Sequence, residues 1–403
     1  MSAAQAEGIP PAQTFHLGIG LQDTGWHPGS WFRIPGAQEI FTSQYWADLA
    51  LAAEAGGLDF VTFEDSLGLQ RHGQLDASLV ASWLGARTSK IGLIPTLTTT
   101  HTEPFHVSKN LATLDHISAG RAGWQVEVSR TEAESRLFGR DRPPAELLPE
   151  DSEPWLAELY AESEQAVEVV RRLWDSWEDD AEIRDAATGR FVDREKLHYI
   201  DYQGSRFSVK GPSITPRPPQ GQPVVSYQGT SEPVIKAAAT SADLLFVEAP
   251  QRSLAGELLK TVRETERIFG RSGAPLQVYA DLTVLVEDSD ENAQFRWAGL
   301  EEANGSDWSP AGELVAGSAA AVADVVAIYQ DLGFAGVRLK PAEHARDLSS
   351  IAELLVPELA RREIFTPVDE PQQLRRRLGL GEAPNRHSAE QKHHDAALVG
   401  DAA

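Results

Sequence analysis

At 403 residues with 41% hydrophobic content, the chain can fill one large core or two ordinary ones, and α/β barrels commonly use more than 250 residues in a single domain. Its 60 acidic against 36 basic residues give a net charge of −24, which repels nucleic acid and anionic lipid over the whole surface. The absence of cysteine excludes a disulfide framework, thiolate catalysis and thiolate metal sites. The opening MSAAQAEGIPPAQT lacks the basic and apolar regions of a signal peptide, and no run approaches the ~18 apolar residues of a membrane span. A cytoplasmic protein with neither nucleic-acid nor membrane partners is expected.

Residues 1–14 read as a disordered N-terminus, and Phe15 to Leu21 as a first strand. The loop DTGWHPGSWFRIPG that follows is too rich in tryptophan and histidine to be a mere connector. Ser43 is placed to cap a helix with Tyr45, Leu49, Leu51 and Ala52 at helical spacing, ending at Gly56-Gly57. Leu58 to Phe63 is a buried strand, Leu75 to Thr88 a helix, and Ile91 to Thr98 a third strand. Pro104 opens the third helix, where a missing N–H costs nothing, and Arg121 to Val128 is the fourth strand. Such alternation implies a parallel sheet.

The pattern then breaks. Residues 130–158 are polar and weakly periodic, Tyr160 to Trp177 restores a long helix, and 178–222 is again irregular. Two insertions flanking one helix suggest a cover over a pocket. Strands follow at Pro223 to Tyr227, Ala242 to Glu248, Leu276 to Val286 and Gly336 to Leu339. Helices run from Ser231, from Ser253 to Phe269, from Ala319 to Leu332 and from Ile351 to Arg361. Eight strands and eight helices predict a TIM-like (β/α)8 barrel over residues 15–365, with insertions at about 130–158 and 178–222 over the C-terminal face. Residues 366–403 form a C-terminal extension, in which NRHSAEQKHHDAALVGDAA reads as a disordered tail.

In such a barrel the strand ends collect Asp65, Thr98 to His101, Ser129-Arg130, Gly229 to Ser231 and Glu248. The Gly229-Thr230-Ser231 turn offers backbone N–H groups, hydroxyls and the positive end of a helix dipole, a means of holding phosphate without lysine. An ordinary N-cap at Ser231 explains it equally well. Asp65 either accepts hydrogen bonds from a ligand or caps the next turn. His101 and His106 lack a third ligand at a regular spacing, so no metal site is expected. Neither GxGxxG nor a Walker pattern occurs, which disfavours a nicotinamide fold or a P-loop kinase. Trp26, Trp31 and Trp155 would line an aromatic pocket; Trp124, inside a strand, fits core packing better.

Several longer stretches carry a family resemblance. They are HPGSW, FEDSL, TTTHTEPFHV with LDHISAGRAGW, VVRRLWDSWEDDA, IRDAATGRF, FSVKGP, PRPPQGQPVV with GTSE, and LVPELARREIF with LRRRLGL. In this order they resemble the bacterial luciferase-like flavin monooxygenases, in the branch of nitrilotriacetate, EDTA and dibenzothiophene-sulfone monooxygenases. The resemblance implies a two-component monooxygenase in which reduced FMN, supplied by a separate NAD(P)H:flavin reductase, works with O2 on a small nitrogen- or sulfur-containing substrate. It implies flavin contacts from Asp65 and Thr98, Tyr160 against the flavin, phosphate binding by Gly229, Thr230 and Ser231, and a homodimer or homotetramer. His101 is the candidate for proton transfer. Where the branch has Tyr-Asn, Asn and His, this chain has His101-Thr102, Gln125 and Leu156, all near the expected pocket. A deazaflavin-dependent oxidoreductase and a non-catalytic flavin-binding protein are the alternatives.

Overall fold

Eight parallel strands alternate with helices: β1 (His16–Leu21), β2 (Phe60–Phe63), β3 (Gly92–Thr98), β4 (Gly123–Glu127), β5 (Val224–Gln228), β6 (Leu244–Val247), β7 (Gln277–Glu287) and β8 (Gly336–Pro341). Each pairs with the next, and β8 returns to β1 with Gly336 opposite His16, so the sheet closes into the expected TIM-like barrel. The structure is a computed structural model that describes residues 14–33, 37–69, 73–139, 152–249 and 251–388. Parallel neighbours cannot be joined by a tight turn, and helices make the crossovers. They are α1 (Ser43–Ala55), α2 (Ala77–Gly85), α3 (Pro104–Ile117), α4 (Glu153–Trp174), α5 (Glu232–Ser241), α6 (Arg252–Ile268) and α7 (Ala319–Asp331). The last, α8, runs as His344–Ser350, Ile351–Leu355 and Val356–Arg361, its middle piece a π turn just ahead of Pro357. Proline removes one N–H and crowds the preceding carbonyls, a common cause of such a local widening.

Side chains alternate across each strand, and this period of two builds the core. Leu17, Ile19, Leu21, Val61 and Phe63 belong to the large core shared with the surrounding helices. Phe60, Ile94, Val224, Leu244, Phe246 and Tyr279 form a separate apolar layer inside the barrel. Gly18 makes room for it: a Cβ there would lie 2.2 Å from the Phe60 ring. Two residues further along the same strands the interior turns polar, at Thr62, Ser226 and Asp281, all buried. That layer is the floor of the candidate site.

Several elements depart from the sequence reading. The cap of α1 is Thr42, one residue before the predicted Ser43, with its hydroxyl accepting from the Tyr45 N–H at 3.4 Å. Helix α4 starts at Glu153 rather than Tyr160, because Ser152, Glu153 and Pro154 make a helix start and Trp155, Leu159, Tyr160 and Ser163 continue one buried stripe. A helix at Asp290–Asn304 and a strand at Glu313–Ser318 lie in the β7–α7 connection, which the pattern left unread. That extra strand pairs with Leu282 to Glu287 of β7, beyond the stretch Gln277 to Ala280 that pairs with β6, and so raises a wall above the rim.

The insertions separate in space. Residues 130–139 stay near the rim, where Thr131 and Glu134 form a reciprocal capping box on the short helix Glu132–Leu137. The segment 178–222 carries two hairpins, Glu182–Asp185 with Arg190–Val192 and Tyr202–Gln203 with Ser208–Val209. It runs along the outside of α4, with Ser205 bonded to Gln165, and reaches the strand N-terminal ends, with Gln220 bonded to Asp115 and the Ala122 carbonyl. The segment after Thr366 closes that same end: Leu374 and Leu378 join the interior apolar layer. Asn385 to Ser388, expected in a disordered tail, lie in the described structure: Asn385 is buried and donates to the carbonyls of Asp175 and Trp177. The rest of that tail and the N-terminus through Gln13 lie outside the described residues. No described helix is long and apolar enough to cross a membrane.

Candidate active site

Arg338 organises the floor. It enters from β8, is fully buried, and lies 4.1 Å over the Phe246 ring of the apolar layer beneath. Its Nε donates to Asp281 at 2.8 Å, and the rest of its fork reaches Thr62 and Glu64 at 3.1 Å and Gln125 and Gln228 at 2.7 Å. Gln125 then donates to Glu64 at 3.0 Å. Lys340, two residues on, pairs with Glu248 and Asp281 and stands 4.2 Å over the Trp26 ring. Burial disfavours charge on both partners, yet Asp281 holds the Arg338 pKa above its usual value, while Arg338 and Lys340 hold Asp281 below the usual carboxylate range. A buried arginine survives in this interior because all its donors are used.

Above the floor opens a cavity of about 500 Å³ at the ends of β1, β2 and β4. Its walls include Trp26, Trp31, Phe41, Trp46 and Trp308, with Glu64, Asp65 and Glu127 among them. His27 forms a fixed part of the wall. Its Nδ1 accepts from the Gly29 N–H at 2.9 Å, so Nε2 carries the proton and faces Glu301 at 3.4 Å, between the edges of Trp297 and Trp308. Burial lowers its pKa, with Glu301 opposing, which favours the neutral ring.

The predicted residues fall at or near strand ends but not all on this cavity. Asp65, two residues past β2, lines it. Its carboxylate also accepts from the Ala77 N–H at 2.9 Å and from Gln74, which ties it to the start of α2, whose N-cap is Asp76. Thr98 is the buried last residue of β3, opposite Glu127. His101, at φ 66° in the left-handed region, sits with Nε2 3.1 Å from Ser135 Oγ and its ring stacked on Phe138 at 5.4 Å. Tyr160 is buried on α4, accepts from Arg130 at 3.3 Å, and has its phenol pushed up to about 12 by burial, next by Glu127. Gly229, with φ 138°, turns the chain off β5, and exposed Thr230 and Ser231 lead into α5. Ser231 occupies the N-cap position, but its hydroxyl makes no capping bond, and Pro233 in the first turn carries no N–H. Glu232 in the same turn is exposed.

Among the aromatic candidates, Trp26 and Trp31 line the cavity. Trp155 is buried instead, donating to the Arg130 carbonyl at 3.0 Å, and Trp124 is core, donating to the Leu97 carbonyl. Gln125 is locked in the floor and Leu156 packs on the main core. Sequence reasoning missed Arg338, Lys340, Glu64, Gln228 and Asp281. The signal was present in GVRLKP, where two cations alternate with apolar residues in a strand that must line a barrel.

A closed parallel barrel with an aromatic cavity at its strand ends has the form of a (β/α)8 enzyme whose ligands bind at the C-terminal rim. The chain belongs to the luciferase-like monooxygenase family, whose pattern it matches over residues 30–378. It is 35% identical over 294 residues to N-acetyl-S-(2-succino)cysteine monooxygenase of Bacillus subtilis (strain 168), covering 71% of this chain and 64% of that one. It is 34% identical over 302 residues to nitrilotriacetate monooxygenase component A of Aminobacter aminovorans, covering 70% and 64%. The matched region thus spans less than two thirds of either relative's length. EDTA monooxygenase from Chelativorans sp. BNC1 shares the fold with a TM-score of 0.80 at 20% identity, over 91% of this chain and 98% of that one.

Proposed function

We propose that this protein is a two-component FMN-dependent monooxygenase that uses reduced FMN and O2 to oxygenate a small organic substrate containing nitrogen or sulfur. The observation that carries the reading is the family match over residues 30–378 of a barrel with this rim. The two relatives above are named for a sulfur-bearing and a nitrogen-bearing substrate, which supports that substrate range. Reduced FMN, delivered by a separate NAD(P)H:flavin reductase, supplies the electrons that activate O2.

The residues present fit such a group. The Gly229-Thr230-Ser231 turn, with the Ser231 hydroxyl uncommitted to its own helix, suits the phosphate. Asp65 and Thr98 are assigned to flavin contact, and Tyr160, whose phenol stays protonated, to packing against it. His101 is assigned to proton transfer, its ring oriented by Ser135 and Phe138. The tryptophans of the cavity wall keep water from the reacting atoms.

The test is turnover with a flavin reductase, NADH and O2 against amine, sulfone and thioether substrates, read by mass spectrometry for the gain of one oxygen. Failure of the protein to bind reduced FMN at micromolar concentrations sinks the proposal.

A further inference from the structure

The described wall of the cavity carries charge of one sign. Asp23, Glu64, Asp65 and Glu127 line it, and no lysine or arginine does among the described residues. The cations of the floor are already engaged: Arg338 by Asp281, Glu64 and two glutamine side chains, Lys340 by Glu248 and Asp281. Two cations there face three carboxylates, so the floor is negative before Asp65 and Glu127 are added.

Glu127 is the carboxylate best placed for a ligand. Its Oε1 accepts from the Val128 N–H at 2.8 Å and stands 3.6 Å from Arg130, while its Oε2 makes no hydrogen bond among the described residues. Burial raises the pKa of Glu127, with Glu64 and Glu134 adding to the shift, and burial with Asp76 and Glu64 pushes Asp65 up to about 6. Burial therefore makes charge at Glu127 costly, and a cation beside it would offset that cost.

The rest of the wall is aromatic. Indole faces attract ammonium groups, and the site already shows this contact, since the Lys340 ammonium lies over Trp26 at 4.2 Å. A substrate bearing a carboxylate would instead meet like charges along the described part of the wall.

We infer that the cavity takes a cationic, amine-bearing organic substrate, its ammonium held by Glu127 and its apolar body by the tryptophan faces. This deepens the oxygenase reading of the same cavity and rests on it.

The experiment compares three probes of nearly equal shape: 2-phenylethylamine as its ammonium, 2-phenylethanol and 3-phenylpropanoate. Affinities are measured by calorimetry on the full chain loaded anaerobically with reduced FMN, after FMN binding has been measured alone by fluorescence. The ammonium should bind at least tenfold more tightly than the alcohol, with the carboxylate weakest. Glu127→Gln, which keeps the volume and the bond from Val128, should reduce that preference at least fivefold while leaving the alcohol unchanged.

Equal or tighter binding of the carboxylate overturns the inference, as does no binding of any probe at millimolar concentration or an ammonium preference unchanged in Glu127→Gln. Failure of FMN binding is a separate result: it sinks the oxygenase reading, and the ranking of the probes is then read on the FMN-free chain.

Discussion

Arg338→Met would remove the organising cation of the floor while keeping much of its volume. The neighbours then lose defined partners. Asp281, 1% exposed, keeps Lys340 at 2.9 Å but loses both guanidinium contacts, and Gln125 and Gln228 each lose a donor at 2.7 Å. Breaking one partner of a buried ion pair costs about 3–5 kcal/mol, because the other charge stays buried. Lys340 still serves Asp281, so the loss should fall at the lower end, about 3 kcal/mol. Urea unfolding at neutral pH, followed by circular dichroism and tryptophan fluorescence with coincident transitions, measures it. Adding Asp281→Asn should recover part of the loss, since the carboxylate left with one of its two cations is then gone. A single variant within about 1 kcal/mol of the parent, or a double variant as unstable as the two losses added, would refute the argument.

Ser231→Ala should leave the melting temperature unchanged, because the hydroxyl caps nothing, yet weaken reduced-FMN binding severalfold in a fluorescence titration; equal affinities would remove Ser231 from the phosphate site. Gly18→Ala places a methyl 2.2 Å from the Phe60 ring and should cost about 1–3 kcal/mol in urea unfolding, as overpacked cores do. Asp65, pushed up to about 6 by burial from an ordinary 3.8, stabilises the fold fully below about pH 4, and that contribution is lost as pH rises through 6. Asp65→Asn removes the loss, so its melting temperature relative to the parent should climb between pH 4.5 and 7; a flat difference contradicts the assignment.

Much of the architecture was legible because a parallel barrel writes itself as short apolar runs alternating with amphipathic helices, and each of the eight strands was located that way. What escaped had weaker local signals. The helix Asp290–Asn304 has a sound start in Ser289-Asp290-Glu291 and a left-handed Gly305 at its end, but Ala293, Arg296 and Leu300 are its only buried residues, too narrow a stripe for periodicity to stand out. That Ser231 leaves its hydroxyl out of the cap was not legible, since a glycine-led N-cap has the same composition whether or not its serine caps. The floor was illegible for another reason: its members lie on β2, β4, β5, β7 and β8, as far apart as Thr62 and Arg338, and closure of the barrel alone brings them together.

That division bears on how the site can vary. The floor is a saturated hydrogen-bond network, and replacing any one member strands its partners, so the floor resists change residue by residue. The rim obeys a different rule. Asp65 and Glu127 stand on strand ends or the loops after them, and Trp26, Trp31 and Trp308 on connections, where a substitution alters the cavity without leaving a buried charge unpaired. Gln125 belongs to the first group despite its place among the departures from the family pattern, because it both accepts from Arg338 and donates to Glu64. Changing Gln125 should therefore lower stability more than it shifts substrate preference, and changing Glu127 should do the reverse. A thermal melt of Gln125→Leu and Glu127→Gln beside the binding ratio of amine to alcohol separates the two roles, and the same ranking in both measurements would dissolve the distinction.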